Sequence, residues 1–357
     1  GLLAWHGLHR TSAAPPAGQT QTPAVPEPPE AVPDTVSTLC VAGDLVMHIP
    51  IINSCRTDDG YDFTGLFDEA QPYYESADYA AACIETTFNG PPYSGFPQFC
   101  APDQLAGDLK SVGLDLLSTA SNHSLDTWFS GLTRTLDVLD EAGLDHVGTY
   151  RTQEERDTVK VIDVGGIRLA VLAYTYGTNG LPKDEHPYCV NVFTTDYMTN
   201  CGEIDYELLK SDLARARQTD ADAIAVFMHW GQEYATSPSA QQRELADFLF
   251  ENGATLVLGG HVHVPQPMEL RELPDGRTGF LCYCLGNLIS NQHDRYTNLT
   301  AAVSLELTKD GETGAVTVSD AEYVPMYMLH PDASADGRYH LLDLNRSIAD
   351  CENGDHT

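Results

Sequence analysis

Five segments of this 357-residue chain place metal-binding side chains directly after an apolar run. They are Gly43-Asp44, Ile84-Glu85, Asn122-His123, His229-Trp230-Gly231 and Gly260-His261-Val262-His263. Carboxylate, amide and imidazole donors together suit Mn, Zn or Fe better than calcium or magnesium alone. One or two such divalent transition ions fit this set, since a carboxylate can bridge a pair as hydrolytic two-metal sites do. A thiolate site is not expected, because no cysteine adjoins these ligands. Each residue also has an ordinary role open to it. Asp44 suits a turn, Glu85 an exposed strand end, His229 a satisfied structural position, and the His-x-His pair a polar loop. What selects metal binding is that five segments share one position and one chemistry.

The histidine pair is expected on extended backbone, where residues i and i+2 face the same side and both imidazoles reach one centre. Gly259 and Gly260 are expected to let the chain turn tightly before it, and Pro265 and Pro267 to stop pairing after it. His123 reads as a general acid beside the metals rather than on them. Asp126, three residues on, either orients its ring or stands as an acid in a helix's first turn. Trp230 and Glu233 follow one ligand, and Tyr283 and Asn287 end another strand. These four are candidate substrate contacts, with local packing as the alternative.

The elements that must position these groups are legible from periodicity. Strand patterns run over 37–46, 80–86, 114–120, 223–228 and 255–258, and each delivers one of the five segments. Helical spacing over 128–142 puts Leu132, Leu136 and Leu139 on one face, with Gly143 as the stop. Further helices are expected over 203–217 and 241–251. Hairpins are expected about Gly165-Gly166 and about Pro274-Asp275-Gly276, with late strands over 301–307 and 315–323. This alternation, followed by mainly strands, predicts an α/β layered domain with a β-rich closing part. Ligands at strand ends fit that class, because side chains there leave the core yet stay rigidly mounted.

With 19 basic against 52 acidic residues the formal net charge is -33. Such a surface excludes nucleic acid and anionic lipid as partners. Residues 11–33 are rich in Ala, Pro, Gln and Thr, a composition of extended spacers, and follow a short apolar stretch at 1–5. The expected organisation is therefore a stalk over 1–36, a domain over 37–329 and a polar tail over 330–357. No other apolar run is long enough to cross a bilayer, so membrane contact is expected only through an anchor ahead of Gly1. Nine cysteines leave at least one unpaired. Cys83 with Cys100, and Cys189 with Cys201, read either as disulfides of an exported domain or as free thiols.

Six motifs in order resemble the CapA family of bacterial capsule proteins associated with poly-γ-glutamate synthesis. They are Ala42-Gly43-Asp44, Ile84-Glu85-Thr86, Ser121-Asn122-His123 through Asp126, His229 through Tyr234, Gly260 through Pro267, and Leu285-Gly286-Asn287. The likeness runs from about Leu39 to about Tyr327. It implies the layered αββα sandwich of calcineurin-like metallophosphoesterases. It also implies a metal shell of Asp44, Glu85, Asn122, His229, His261 and His263, with His123 handling protons. The implied activity is hydrolysis of an envelope polymer, poly-γ-glutamate, or of a small-molecule substrate. In that chemistry a metal-bound hydroxide attacks an amide and His123 protonates the leaving amine; a phosphoester target and a non-catalytic role in a capsule synthase are the alternatives. The implied place is the bacterial cell surface, outside the cytoplasm and membrane-anchored, beside capsule synthase membrane subunits. The chain departs from the wider phosphoesterase pattern in lacking Asp-x-His, since Leu45 and Val46 follow Asp44, and in offering Glu85 where a bridging Asp is usual.

Overall fold

A computed structural model describes residues 30–354. The stalk expected over 1–36 lies outside the described residues as far as residue 29, and the first strand begins at Thr35. The first half runs β1 (Thr35–Leu45), α1 (Ile49–Ser54), a hairpin of β2 (Arg56–Thr57) and β3 (Gly60–Tyr61), α2 (Gln71–Ser76), β4 (Tyr79–Ile84) and α3 (Gln104–Ser111). It continues through β5 (Leu116–Ser118), α4 (Trp128–Ala142), β6 (Asp145–Val147) and α5 (Gln153–Asp157). A second run comprises β7 (Lys160–Val164), β8 (Ile167–Thr175), α6 (Tyr206–Arg217), β9 (Ala223–His229), α7 (Ala240–Glu251) and β10 (Leu256–Gly260). The closing part is almost all strand: β11 (Met268–Glu272), β12 (Thr278–Cys282), β13 (Asn287–Ile289), β14 (Leu299–Lys309), β15 (Val316–Leu329) and β16 (His340–Asp343), then α8 (Leu344–Glu352).

Two sheets result. The first has the order β16-β15-β14-β1-β4-β5-β6, with β13 also paired to β1, and the second the order β11-β12-β10-β9-β8-β7. The central strands β1, β4, β5 and β6 are mutually parallel, as are β8, β9, β10 and β12. Their carboxyl ends therefore gather along one edge of each sheet. Side-chain alternation assigns the layers. Leu39 and Val41 of β1 pack with Leu169 and Val171 of β8, Ala225 and Phe227 of β9, and Leu256 and Leu258 of β10, which is the layer between the sheets. Cys40 and Ala42 face the other way, onto Leu105 and Leu109 of α3 and Leu132, Leu136 and Leu139 of α4. On the far side, Ile224, Val226 and Met228 of β9 meet Leu209 and Leu213 of α6 and Leu245 and Leu249 of α7. The order helices, sheet, sheet, helices is the αββα sandwich. Gly143, in left-handed conformation at φ 76°, ends α4 where the periodicity stops.

All nine cysteines are free thiols, which decides between the two readings of their spacing. Cys100 Sγ donates to the Gly90 carbonyl at 3.4 Å and Cys201 Sγ to that of Tyr197 at 3.2 Å.

One irregularity positions the site. Val41 pairs with Ala81, but Asp44 pairs with Cys83, so β1 holds one more residue than β4 over this stretch. Such a bulge re-aims the side chains that follow it. Without it Asp44 would share the helix-facing side of Cys40 and Ala42; with it Leu45 takes that side and Asp44 turns into the layer between the sheets. The bulge brings Gly43 so close to Gly286 that any Cβ would collide with the Gly286 carbonyl oxygen. Gly43→Ala is therefore expected to lower unfolding free energy by roughly 1–3 kcal/mol in denaturant titrations. Gly107→Ala, inside α3 with open space around the position, is expected to raise it by about 0.4–1 kcal/mol. A Gly43→Ala protein as stable as the parent contradicts this account of the bulge.

Candidate metal centre

Alternation carries the candidate ligands into the same layer. His229 shares the parity of Ala225 and Phe227, and Glu85 follows Ile84 of β4 as the next inward position. Asp44 arrives through the bulge. Asn122 and His123 lie in the turns after β5, and His261 and His263 in those after β10. Five strand ends of two sheets thus converge at one end of the inter-sheet layer.

The convergence leaves unanswered charge. Asp44 Oδ2 accepts from the backbone N–H of His261 at 2.7 Å. Asp44 Oδ1, both oxygens of Glu85 and His261 Nδ1 are buried with no hydrogen-bond partner among the described residues. One atom each from Asp44, Glu85 and His229 lie within 4.8 Å of one another, and so do atoms of Glu233, His261 and His263. His229 Nε2 stands 2.9 Å from Asn122 Oδ1 and 3.7 Å from Glu85 Oε2. His263 Nδ1 lies 2.9 Å from Asn287 Oδ1, which leaves Nε2 free, 3.5 Å from Glu233 Oε1.

Protonation follows from burial. Loss of water pushes the Glu85 carboxyl well above the carboxylate range; His263 opposes this and the charge of Asp44 adds to it. Burial likewise raises Asp44, against the His261 N–H. Burial first, then neighbouring imidazoles, pushes His229 far down and His261 to about 3, so both stay neutral and keep a lone pair. His263 behaves oppositely. Burial works against its charge, but Glu233, Glu85, Asn287 and Asp44 together push it up to about 9. The local field thus favours positive charge at the point where the carboxylates meet. Buried acids with unsatisfied oxygens and imidazoles held neutral fit a divalent ion. Cys83 comes near Asp44 in space, yet burial and then the charges of Asp44 and Glu85 hold its thiol protonated.

The histidine pair does not adopt the extended backbone expected for it. His261 and His263 have φ of 94° and 67°, the left-handed region. Such strain in non-glycine residues is held only where the surroundings enforce it. Gly259 and Gly260 do not supply a turn; they lie within β10 and permit close approach. A Cβ at Gly260 would sit 2.5 Å from Asp44 Oδ1, and one at Gly259 would run into the Tyr283 carbonyl.

His123 Nδ1 is 2.7 Å from Asp126 Oδ2, which also accepts from the Phe99 N–H at 2.7 Å. Both residues are buried, and His123 lines a cavity of about 840 Å³ with Asn122, Tyr176, Glu233 and His261. A smaller space of about 380 Å³ adjoins it, reached by His48, His263 and Gln292. Neither is lined by a lysine or arginine.

Three of the four residues expected to contact substrate line neither space. Trp230 and Tyr283 have the opposite parity to His229 and Cys282, so their rings lie under α6 and α7 in the outer core, where Trp230 Nε1 donates to the Tyr283 carbonyl at 2.8 Å. Asn287 is buried and acts on His263; its Nδ2 is taken by Gln292 and the Thr297 carbonyl. Glu233 alone borders the cavity. Three residues not singled out from sequence also border these spaces. Tyr176 packs 4.6 Å from the His261 ring and follows apolar strand β8, so the strand-end rule could have found it. Asn179 accepts from Asn122 Nδ2 at 3.0 Å. His48, pushed down to about 4 mainly by burial, stands edge-on to Phe99.

A model of the family described as bacterial capsule synthesis protein PGA_cap matches residues 38–292. The capsule biosynthesis protein CapA of Bacillus anthracis is 25% identical over 286 residues, covering 77% of this chain and 64% of that protein. The PGA biosynthesis protein CapA of Bacillus subtilis (strain 168) is 28% identical over 312 residues, covering 85% and 75%. The chain thus spans just under two thirds of the Bacillus anthracis relative's length. Among solved structures, a novel phosphatase of Mycoplasma pneumoniae aligns with TM-score 0.46 at 14% identity, over 82% of this chain and 94% of that one. The calcineurin-like phosphoesterase YfkN of Bacillus subtilis aligns with TM-score 0.45 at 13% identity, over 82% and 91%.

Adding Mn²⁺ or Zn²⁺ to chelator-treated protein is expected to raise stability by about 2.7 kcal/mol at a hundredfold excess over Kd, read as a higher thermal midpoint. Glu85→Gln should abolish that response without lowering the metal-free midpoint, since it removes an unanswered buried acid. Equal midpoints with metal and with chelator would contradict the assignment.

Proposed function

We infer, since the chain belongs to the bacterial capsule synthesis protein PGA_cap family, that it is a metal-dependent hydrolase of an amide bond in an envelope polymer. The observation that carries this is the buried ligand shell lying beside the His123–Asp126 pair at one open cavity. When bound, a divalent ion supplies Lewis acidity for polarising a carbonyl oxygen. Asp44, Glu85, Asn122, His229, His261 and His263 would hold it. Asp126 fixes the His123 ring by accepting from Nδ1–H, which leaves Nε2 as the nitrogen that passes a proton to a departing amine. Asn122 is held by Asn179, and Tyr176 covers the His261 ring on the cavity side.

The cavity's lack of lysine and arginine favours an amide over a phosphoester, whose phosphoryl oxygens would find no ammonium or guanidinium group there. The relatives' capsule and PGA biosynthesis roles support poly-γ-glutamate as the polymer. On this reading the polymer's carboxylates stay in solvent, and the domain works outside the cytoplasm on a Pro-rich stalk, beside membrane subunits of a capsule synthase. No helix among the described residues is long and apolar enough to cross a membrane.

Shortening of poly-γ-glutamate by the Mn²⁺-loaded protein is expected in sizing chromatography, with His123→Ala slower by about 10²–10⁴-fold. Cleavage of a chromogenic phosphoester alone, or no turnover of either, would overturn this function. Because enzyme and polymer are both anionic, kcat/KM should rise as salt goes from about 0.01 to 0.1 M and the Debye length falls from roughly 30 to 10 Å. A fall over that range would show attraction and contradict the absence of lysine and arginine from the cavity wall.

A further inference from the structure

We propose that the site cuts internal bonds of an extended chain, which lies across His123 from one cavity into the other and is positioned there by Phe96 and Tyr234. The proposal rests on the reading of the protein as an amide hydrolase of an envelope polymer, and adds where along the polymer the cut falls. Its first support is the space around the proton-handling residue. His123 lines both the cavity of about 840 Å³ and the adjoining one of about 380 Å³. Beyond it their walls differ: Asn179 and Leu181 belong to the larger, His48 and Gln292 to the smaller. A small molecule or a chain end needs only one of them, since about 300–1,000 Å³ holds a whole drug-sized ligand. Two spaces meeting at the proton donor suit a substrate that continues past the cut bond on both sides. Hydrolysis there adds one water across a C–N bond and leaves a carboxyl-ended fragment in one space and an amine-ended fragment in the other.

The second support is a pair of aromatic rings. Phe96 and Tyr234 also line both cavities, and they come from opposite sheets, Phe96 from the loop between β4 and α3 and Tyr234 from the loop after β9. Phe96 is 78% exposed and Tyr234 43%. Both are nevertheless rigidly mounted. Ser94 and Cys100 exchange backbone hydrogen bonds at 3.0 and 2.9 Å, closing the loop that carries Phe96. Gly95 packs so closely on Ile49 that a Cβ would stand 3.0 Å from its backbone nitrogen. Tyr234, at φ 67°, donates its N–H to the Val262 carbonyl at 2.7 Å. A ring held in water by a fixed backbone adds no burial to the fold, and beside a cleft it marks a contact surface.

The third support is what these rings would meet. A γ-linked glutamyl chain carries methylenes within its backbone, between one amide and the next, and its carboxylates beside it. The methylenes match aromatic faces, which gain by taking apolar surface out of water. No lysine or arginine lines either cavity to draw the carboxylates inward. The polymer thus lies on its apolar stems with its charges outward, and each amide in turn can reach His123.

The test is product size, by sizing chromatography and mass spectrometry, when the intact Mn²⁺-loaded chain acts on poly-γ-glutamate of narrow length distribution. Fragments of intermediate length are expected first, with almost no free glutamate while the mean length halves. Glutamate or one fixed short oligomer released from the start, with the long polymer barely shortened, overturns internal cutting and leaves the hydrolase standing. No hydrolysis at all overturns the reading on which the proposal rests. Phe96→Ala and Tyr234→Ala are each expected to raise KM for the polymer about tenfold with kcat within about twofold, and Phe96→Leu and Tyr234→Phe to restore most of it. An unchanged circular dichroism spectrum confirms that the variants are folded. An unchanged KM in both alanine variants overturns the positioning by these rings.

Discussion

Two carboxyl groups, Asp44 and Glu85, lie side by side beyond the reach of water, with three oxygens that no protein group answers. An isolated buried carboxylate is among the most costly groups a fold can hold, and removing its charge or pairing it are the only remedies. Much of the unusual backbone in this domain serves to create that situation. A bulge turns Asp44 inward, Gly43 and Gly260 let the backbones close around it, and two histidines adopt left-handed φ beside it. A fold selected for stability alone would fill this layer with valine and leucine, as it does a few residues earlier on the same strands.

The same burial that penalises the acids prepares the imidazoles. His229 and His261 stay neutral and present lone pairs, whereas His263, drawn upward by Glu233 and the two buried acids, marks where positive charge is most favoured. His123 stands apart from this shell. Its ring is fixed by Asp126, whose second contact, the Phe99 N–H, ties the pair to the loop ahead of α3. Asn122 and His261 of the converging cluster and the His123–Asp126 pair thus border one cavity, and the turn after β5 carries both Asn122 and His123.

Much of this was legible in the sequence. The rule that polar groups follow apolar strands picked out six side chains that converge, Asp44, Glu85, Asn122, His229, His261 and His263, because parallel strands of a sandwich must end together. The layered architecture followed from the alternation of elements, and helix α4 ends at the glycine its pattern indicates. What the sequence did not disclose was which side each residue faces. Strands buried on both faces read as continuous apolar runs, so nothing in the series 223–230 tells His229 from Trp230, although one enters the site and the other the outer core. The bulge before Asp44 was equally silent, because it exists only in the pairing of β1 with β4. The left-handed histidines contradicted the expected i, i+2 geometry for the same reason: contacts from Asp44 and the Glu233 segment impose their backbone, not local preference. Tyr176 was open to the rule already in use.

Membership of the capsule synthesis family and this geometry meet at the question of what occupies the space between Asp44, Glu85 and the histidines. The most direct measurement is a crystal structure of metal-loaded protein with anomalous difference maps on either side of the absorption edge of the added ion. The account predicts a strong peak enclosed by Asp44, Glu85, Asn122, His229, His261 and His263, at the buried end of the layer between the sheets. A map without such a peak, with Asp44 and Glu85 paired to protein groups instead, would contradict it.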